Sequence, residues 1–383
     1  MNNVICSNNI SFGVSMKICI VSAKPRVGSK KKNLDKIEKY ISQEKADMYV
    51  FGELFLTGYF CRDDIRDVAE DSNGESIKRL KKMAKEHDCY IICGAPLKER
   101  EGIISNSAIL IHPNGKLDAY RKTFLANFGP FEERFYFLAE NNLPVFETRY
   151  GKIGICICYD IFFPELVKGL ALQGADLIVC ISASPSVTRK FFEKVLPARA
   201  IENTVFVAYA NLVGSQENLV FWGGGQIYNP MGELMARGDY LKEGYVVANI
   251  DFSLLENARA SRPTIRDTKA EIFHALYNIA KIKGGQRGYA YIGMKIGEYA
   301  FKKMKVEKVI VYGKKELIDG ICFATGCKKD AVSFKEGKAG AKFIGKNGEL
   351  KIFVKDKINE AIENGMDSIL PFLDDEKIFD VEE

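Results

Sequence analysis

Through the first two thirds of the chain, short apolar runs recur between stretches of charge and turn-forming residues. They read KICIVSA (17–23), DMYVFGE (47–53), CYIICGA (89–95), NSAILIH (106–112), KIGICIC (152–158), DLIVCIS (176–182), TVFVAYA (204–210), GGQIYN (224–229) and YVVANID (245–251). Their length and their enrichment in Val, Ile and aromatic residues predict β-strands. Between them lie segments whose apolar residues recur every three or four positions: NLDKIEKYISQEK (33–45), ESIKRLKKMAKEH (75–87), PELVKGLALQG (164–174) and VLPARAIEN (195–203). That spacing predicts amphipathic helices. Strands alternating with helices imply an α/β layered domain, here over residues 17–270, preceded by a short polar extension, 1–16, with Met16 as an alternative start.

The pattern then changes. SRPTIRDTKAEIFHALYNIAKIKGGQ (261–286) reads as a helical connector ending in a Gly-Gly break, centred on 271–285. Beyond it a lysine-rich segment carries strands of its own, EKVIVYG, KAGAKFIG and ELKIFVK, between helices near 291–304 and 357–365. Residues 286–383 are therefore expected to form a second, smaller α+β domain.

Composition narrows the function classes. With 383 residues, 47% of them hydrophobic, the chain can bury a large core. The 55 basic and 50 acidic side chains leave a net charge of only +5, spread along the chain, which argues against a nucleic-acid partner. No run of 18 apolar residues occurs and the N-terminus lacks the order of a secretory signal, so no membrane association is expected. Most of the ten cysteines lie in strand-like runs, which fits reduced thiols in a cytoplasmic protein.

Chemistry is concentrated at one corner, GICICYDIFFPEL (154–166), where a strand ends at Cys158 and Pro164 opens a helix carrying Leu166, Val167 and Leu170 on one face. A thiol beside a helix N-terminus gains acidity, and the Tyr159 NH is free to face an oxyanion. The plainer reading, one more buried thiol like Cys156, is the commoner fate of such a cysteine. Zinc at Cys156 and Cys158 is disfavoured, on the ground that neighbouring strand residues face opposite ways. The three histidines, His87, His112 and His274, sit in no strand-end setting, so a Cys/His pair has little support. Carboxylates are the alternative bases. Glu53 ends a buried strand, where desolvation favours a general base, although a capping or surface acid is the ordinary role. Lys122, in YRKTFL, follows another strand and by itself is an ordinary surface lysine.

Taken in order, GELFLTGY, YRKTFL and GICICYDIFFPEL resemble the three signature segments of the nitrilase superfamily of carbon-nitrogen hydrolases, and the likeness extends over residues 17–265. The resemblance implies a four-layer αββα sandwich holding a Glu53/Lys122/Cys158 triad. It implies that Glu53 takes the thiol proton, that Cys158 attacks an amide or nitrile carbon, and that Lys122 with the Tyr159 NH stabilises the tetrahedral species. No metal or organic cofactor is implied. Glu133 matches a second glutamate that touches the lysine or substrate, its alternative being an exposed member of a charge cluster. Tyr59, Phe128, Ala183 and Trp222 are expected around the substrate pocket. Gly52 replaces the family's usual proline, a change expected to loosen the backbone. Kinship also implies a homo-oligomer, a dimer or larger, paired through the helices at PELVKGLALQG and VLPARAIEN.

Residues 283–354, above all DGICFATGC and EGKAGAKF, are similar to the small E-type component of formylmethanofuran dehydrogenase, but without its histidines and zinc ribbon. That implies a module whose metal site has been lost. The expected activity is hydrolysis of a small amide or carbamoyl compound. The alternative is a noncatalytic scaffold or a glutaminase-like domain feeding ammonia to a partner.

Overall fold

A computed structural model describes residues 15–100, 102–269, 271–272, 287–346, 348–364, 370 and 373–382. The chain divides into two compact units between Thr268 and Lys269. Most of the predicted connector, 271–285, lies outside the described residues.

The first unit contains two six-stranded sheets. One is built from β1 (Ser15–Ser22), β2 (Met48–Val50), β3 (Tyr90–Arg100), β4 (Ile103–Ile111) and β5 (Leu117–Arg121), completed by β14 (Gly244–Asp251). Its order is β14-β1-β2-β3-β4-β5. The other contains β6 (Val145–Glu147), β7 (Lys152–Ile157), β8 (Leu177–Ser182), β9 (Phe206–Asn211), β12 (Gln226–Tyr228) and β13 (Leu234–Arg237), in the order β13-β12-β9-β8-β7-β6. A hairpin of β10 (Val213–Gln216) and β11 (Leu219–Trp222) stands apart. The central strands of each sheet run parallel and the outer ones antiparallel.

Four layers follow from which faces are apolar. Helices α1 (Lys30–Gln43) and α2 (Glu75–Glu86) bury Leu34, Ile37, Ile41, Ile77, Leu80 and Met83 against the first sheet. Helices α3 (Pro164–Leu172) and α4 (Arg189–Asn203) cover the second. Between the sheets, Ile18, Ile20, Val50 and Ile92 meet Ile153, Ile155, Val179 and Ile181 in one core. This is the αββα sandwich the family resemblance implies.

Strand β7 shows why its sequence has the form it does. Ile153, Ile155 and Ile157 face the inter-sheet core, whereas Cys156 faces the helices. Gly154 is small because a Cβ there would sit 3.1 Å from Leu170 Cβ of α3 and 2.8 Å from Ile178 Cδ1. A strand covered on both faces has no polar side, hence the nearly continuous apolar run.

Two expectations are revised. Helix α4 begins at Arg189, before the predicted start, and contains Pro197 in its interior. The second unit has the three predicted strands, but its sheet has five, β16-β15-β17-β18-β19, spanning β15 (Lys308–Tyr312), β16 (Val332–Lys335), β17 (Gly340–Gly345), β18 (Gly348–Val354) and β19 (Phe379–Glu382). Both expected helices are present, at Arg287–Lys303 and Asp356–Glu363, and an unpredicted one, Leu317–Thr325, packs so closely on the first that a Cβ on Gly293 would lie 2.9 Å from Leu317 Cα. Among the described residues no helix is long and apolar enough to cross a membrane.

Candidate active site

Three strand ends deliver Glu53, Lys122 and Cys158. Glu53 follows β2, Lys122 follows β5 and Cys158 follows β7, so two come from one sheet and the third from the other. Glu53 and Lys122 are wholly buried and Glu133 is 3% exposed. The surface roles that each would have in isolation are thereby excluded.

The polar groups hold one another in place. Lys122 Nζ donates to Glu53 Oε1 at 2.7 Å and to Glu133 Oε1 at 2.8 Å. Asn106 Nδ2 donates to the same Glu53 oxygen at 2.8 Å, and the Ala183 NH donates to Oε2 at 2.8 Å. Glu133 also accepts from the Tyr59 hydroxyl at 2.6 Å and from the Ala126 NH at 3.0 Å. An isolated buried ion costs several kcal/mol in lost hydration; here each charge has an opposite partner and hydrogen bonds besides.

The electrostatics follow from that packing. Burial alone would lower the Lys122 pKa, but the Glu133 and Glu53 carboxylates outweigh it and hold the ammonium well above the ordinary lysine value. Burial pushes Glu133 up, with Lys122 pulling it back. Burial and the Glu133 charge keep the Tyr59 phenol protonated as a donor.

Cys158 departs from expectation in two ways. It opens a 3-10 turn, Cys158–Phe162, and α3 starts only at Pro164, so the thiol does not cap that helix. Burial, followed by the Glu53 charge, pushes its pKa well above the ordinary thiol value, with Lys122 acting in the opposite sense. Desolvation therefore overrides the acidification expected of a helix N-terminus. The residue has φ +49°, a left-handed conformation that turns the chain sharply out of the strand.

Positions 156 and 158, two apart, would share one face of a continuous strand rather than point to opposite sides, so alternation is not the reason against a paired site. What separates them is the turn: Cys156 stays in register beside Cys180 while Cys158 leaves the strand. Among the described residues no group of three His, Cys, Asp or Glu side chains is arranged to hold a metal ion.

Of the expected pocket residues, Tyr59 and Ala183 meet the charged cluster directly. Phe128 is 49% exposed and its ring packs 4.9 Å from Tyr159. Trp222 is 1% exposed and stacks on Tyr209 within the helix-side core. Gly52 does not loosen the backbone. A Cβ there would come within 2.7 Å of Leu212 Cδ2 and 2.9 Å of the Ser182 carbonyl, so the glycine permits close packing behind Glu53. Asn106, Tyr120 and Asp160 join the site without a clear signal in the sequence. Asn106 and Tyr120 stand in ordinary strand sequence, and only the position of Asp160, two residues after the cysteine, hints at a role.

The α/β sandwich holds a buried Glu53–Lys122–Glu133 cluster whose charges reach the partly buried Cys158 thiol. Residues 17–260 match the carbon-nitrogen hydrolase family, and the chain belongs to it. A nitrilase of Pyrococcus abyssi is 33% identical over 252 residues, covering 64% of this chain and 93% of that protein. The 2-oxoglutaramate amidase of Bacillus subtilis is 32% identical over 252 residues, covering 64% of this chain and 95% of its own length. Among solved structures, an amidase from Nesterenkonia sp. superposes with a TM-score of 0.60 at 27% identity, covering 68% of this chain and 95% of its own. The chain is accordingly a hydrolase acting on carbon–nitrogen bonds.

Proposed function

We propose that the enzyme is an amidase that hydrolyses a small amide or carbamoyl compound through a thioester on Cys158. The observation that carries this reading is the donor and acceptor count around Lys122 and Glu53. Lys122 has three N–H donors and gives two to Glu53 and Glu133, leaving one for a substrate oxygen. Glu53 Oε1 accepts two hydrogen bonds and Oε2 one, leaving a lone pair on Oε2 for a proton.

Because the Cys158 thiol is held protonated, its proton moves to Glu53 as the sulfur attacks rather than beforehand. The C–S bond forms and the carbonyl electrons move to oxygen, where the remaining Lys122 N–H and the Tyr159 NH receive the charge. Glu53 returns the proton to the nitrogen, the C–N bond breaks, and ammonia or an amine leaves. Water, deprotonated by Glu53, then releases the acid and restores the thiol. Glu133 fixes the lysine, and Tyr59 fixes Glu133. Tyr59, Phe128, Ala183 and Trp222 are assigned to the pocket and its supporting wall.

The relatives named as amidase support an amide substrate, and the relative named as nitrilase makes nitriles the comparison substrates. Free, mostly buried cysteines among the described residues support a cytoplasmic setting. Leu172 and Phe191, exposed on α3 and α4, support self-association through those helices. The second unit is read as a module without a metal site, similar to the E-type component of formylmethanofuran dehydrogenase and used in packing or assembly. Ammonia release from a panel of primary amides tests the reading: Cys158→Ala is expected to abolish it, and undiminished release would refute it.

A further inference from the structure

We infer that Asp160 is a positioning residue that sets the distance between Lys122 and Cys158 by tying the two sheets together. This rests on the reading of Cys158 as the nucleophile. Asp160 lies two residues beyond that cysteine and is wholly buried. Its Oδ2 accepts from the Ile157 NH at 2.9 Å and from the Tyr120 hydroxyl at 2.8 Å, and its Oδ1 accepts from the Phe124 NH at 2.8 Å.

The origin of those donors is what gives the contact meaning. Ile157 is the last residue of β7 and immediately precedes Cys158, in the second sheet. Tyr120 lies in β5 of the first sheet, two residues before Lys122, and Phe124 lies two residues after it. One carboxylate therefore grips both flanks of the lysine and the residue that launches the thiol. Nothing covalent or β-paired joins β5 to β7, since they belong to different sheets. The inter-sheet core between them is apolar and non-directional, so it fixes spacing less sharply than three oriented hydrogen bonds do.

A carboxylate is needed because three donors converge on two oxygens. Asparagine offers one carbonyl oxygen, and its NH₂ would confront a donor on the other side. Tyr120 is itself held, its hydroxyl lying 3.0 Å from Thr123 Oγ1, so the clamp is anchored at its far end. Asp160 touches no substrate atom in this scheme. It acts through the geometry of Lys122 and Cys158, and a misplacement of about 1 Å at such a site costs on the order of 10²-fold in rate.

The test uses the full-length protein and iodoacetamide, with carboxamidomethylation of Cys158 followed over time by mass spectrometry. Half-buried Cys327 in the second unit is the internal standard. Asp160→Asn should slow labelling of Cys158 by roughly tenfold or more while leaving Cys327 unchanged. Tyr120→Phe, which removes one of the three donors, should slow it roughly threefold, and this variant serves if Asp160→Asn does not fold. Labelling at the wild-type rate in folded Asp160→Asn, or in Tyr120→Phe, would overturn the inference; a lowered melting temperature with unchanged labelling would mark Asp160 as a purely structural cap. Failure of wild-type Cys158 to label at all would instead count against the nucleophile assignment.

Discussion

Lys122 Nζ lies 2.7 Å from Glu53 Oε1, with both side chains fully buried, and a second carboxylate, Glu133, stands 2.8 Å from the same nitrogen. One ammonium thus neutralises part of two negative charges away from bulk solvent. Removing it should harm folding and chemistry together. Lys122→Met is expected to lower stability by about 3–5 kcal/mol, the usual cost of orphaning buried charge, and to abolish amide hydrolysis. Lys122→Met with Glu133→Gln should regain part of the stability in urea denaturation and none of the activity.

Glu53 is the proton carrier, and its shape can be kept while its basicity is removed. Glu53→Gln turns its NH₂ toward one of three donors and should lower the melting temperature, yet stay folded by circular dichroism and lose roughly 10²–10⁴-fold in kcat for ammonia release. A loss confined to KM would mean that Glu53 only binds.

The raised Cys158 pKa predicts an unusual pH profile for its alkylation. The second-order rate with iodoacetamide should keep climbing past about pH 9, where an ordinary thiol of pKa near 8.5 levels off. A plateau below about pH 7 would indicate a preformed thiolate and a different electrostatic balance.

Burial also pushes Asp160 up to about 7, against the pull of Lys122 and the Phe124, Ile157 and Tyr120 donors. Ionisation is therefore costlier in the folded state than in the unfolded chain. The stability from this group is fully present below its unfolded pKa, near 3.8, and is lost as pH rises through about 7. The span of about three pH units corresponds to up to about 4 kcal/mol. The melting temperature of Asp160→Asn relative to wild type should become more favourable between about pH 4 and pH 8, whatever its value at either end; a pH-independent difference would contradict this.

Gly94 in β3 backs directly onto the Glu53 turn. A Cβ there would overlap the Leu54 backbone nitrogen and lie 2.6 Å from Glu53 Cα. Leu54 is itself held at φ +48°. Gly94→Ala should therefore displace Glu53 and cost both stability and turnover, measurable by thermal melting and ammonia release.

The alternation of strands and helices in the first unit, and the strand ends carrying Glu53, Lys122 and Cys158, are legible in the sequence because local apolar patterning determines where strands stop; the four-layer sandwich follows only from the family resemblance. Contacts between distant segments are not. Asn106 sits in NSAILIH like any polar residue on a strand, yet it orients Glu53 across the sheet. The sequence makes Cys158 look acidic because adjacency to a helix is visible there, whereas the 3-10 turn that intervenes and the desolvation of the partly buried thiol are not. Gly52 suggests flexibility when taken alone, but its role is set by Leu212 and Ser182, far along the chain.

Convergence of Glu53, Lys122 and the Cys158 sulfur on one carbonyl is tested most directly by the intact mass of enzyme quenched in acid while turning over a primary amide. An added mass equal to the substrate's acyl group, mapped to the peptide bearing Cys158 and missing from Cys158→Ala, is the expected result. Turnover by the wild type with no acyl group on that peptide, or ammonia release that survives Cys158→Ala, would contradict it.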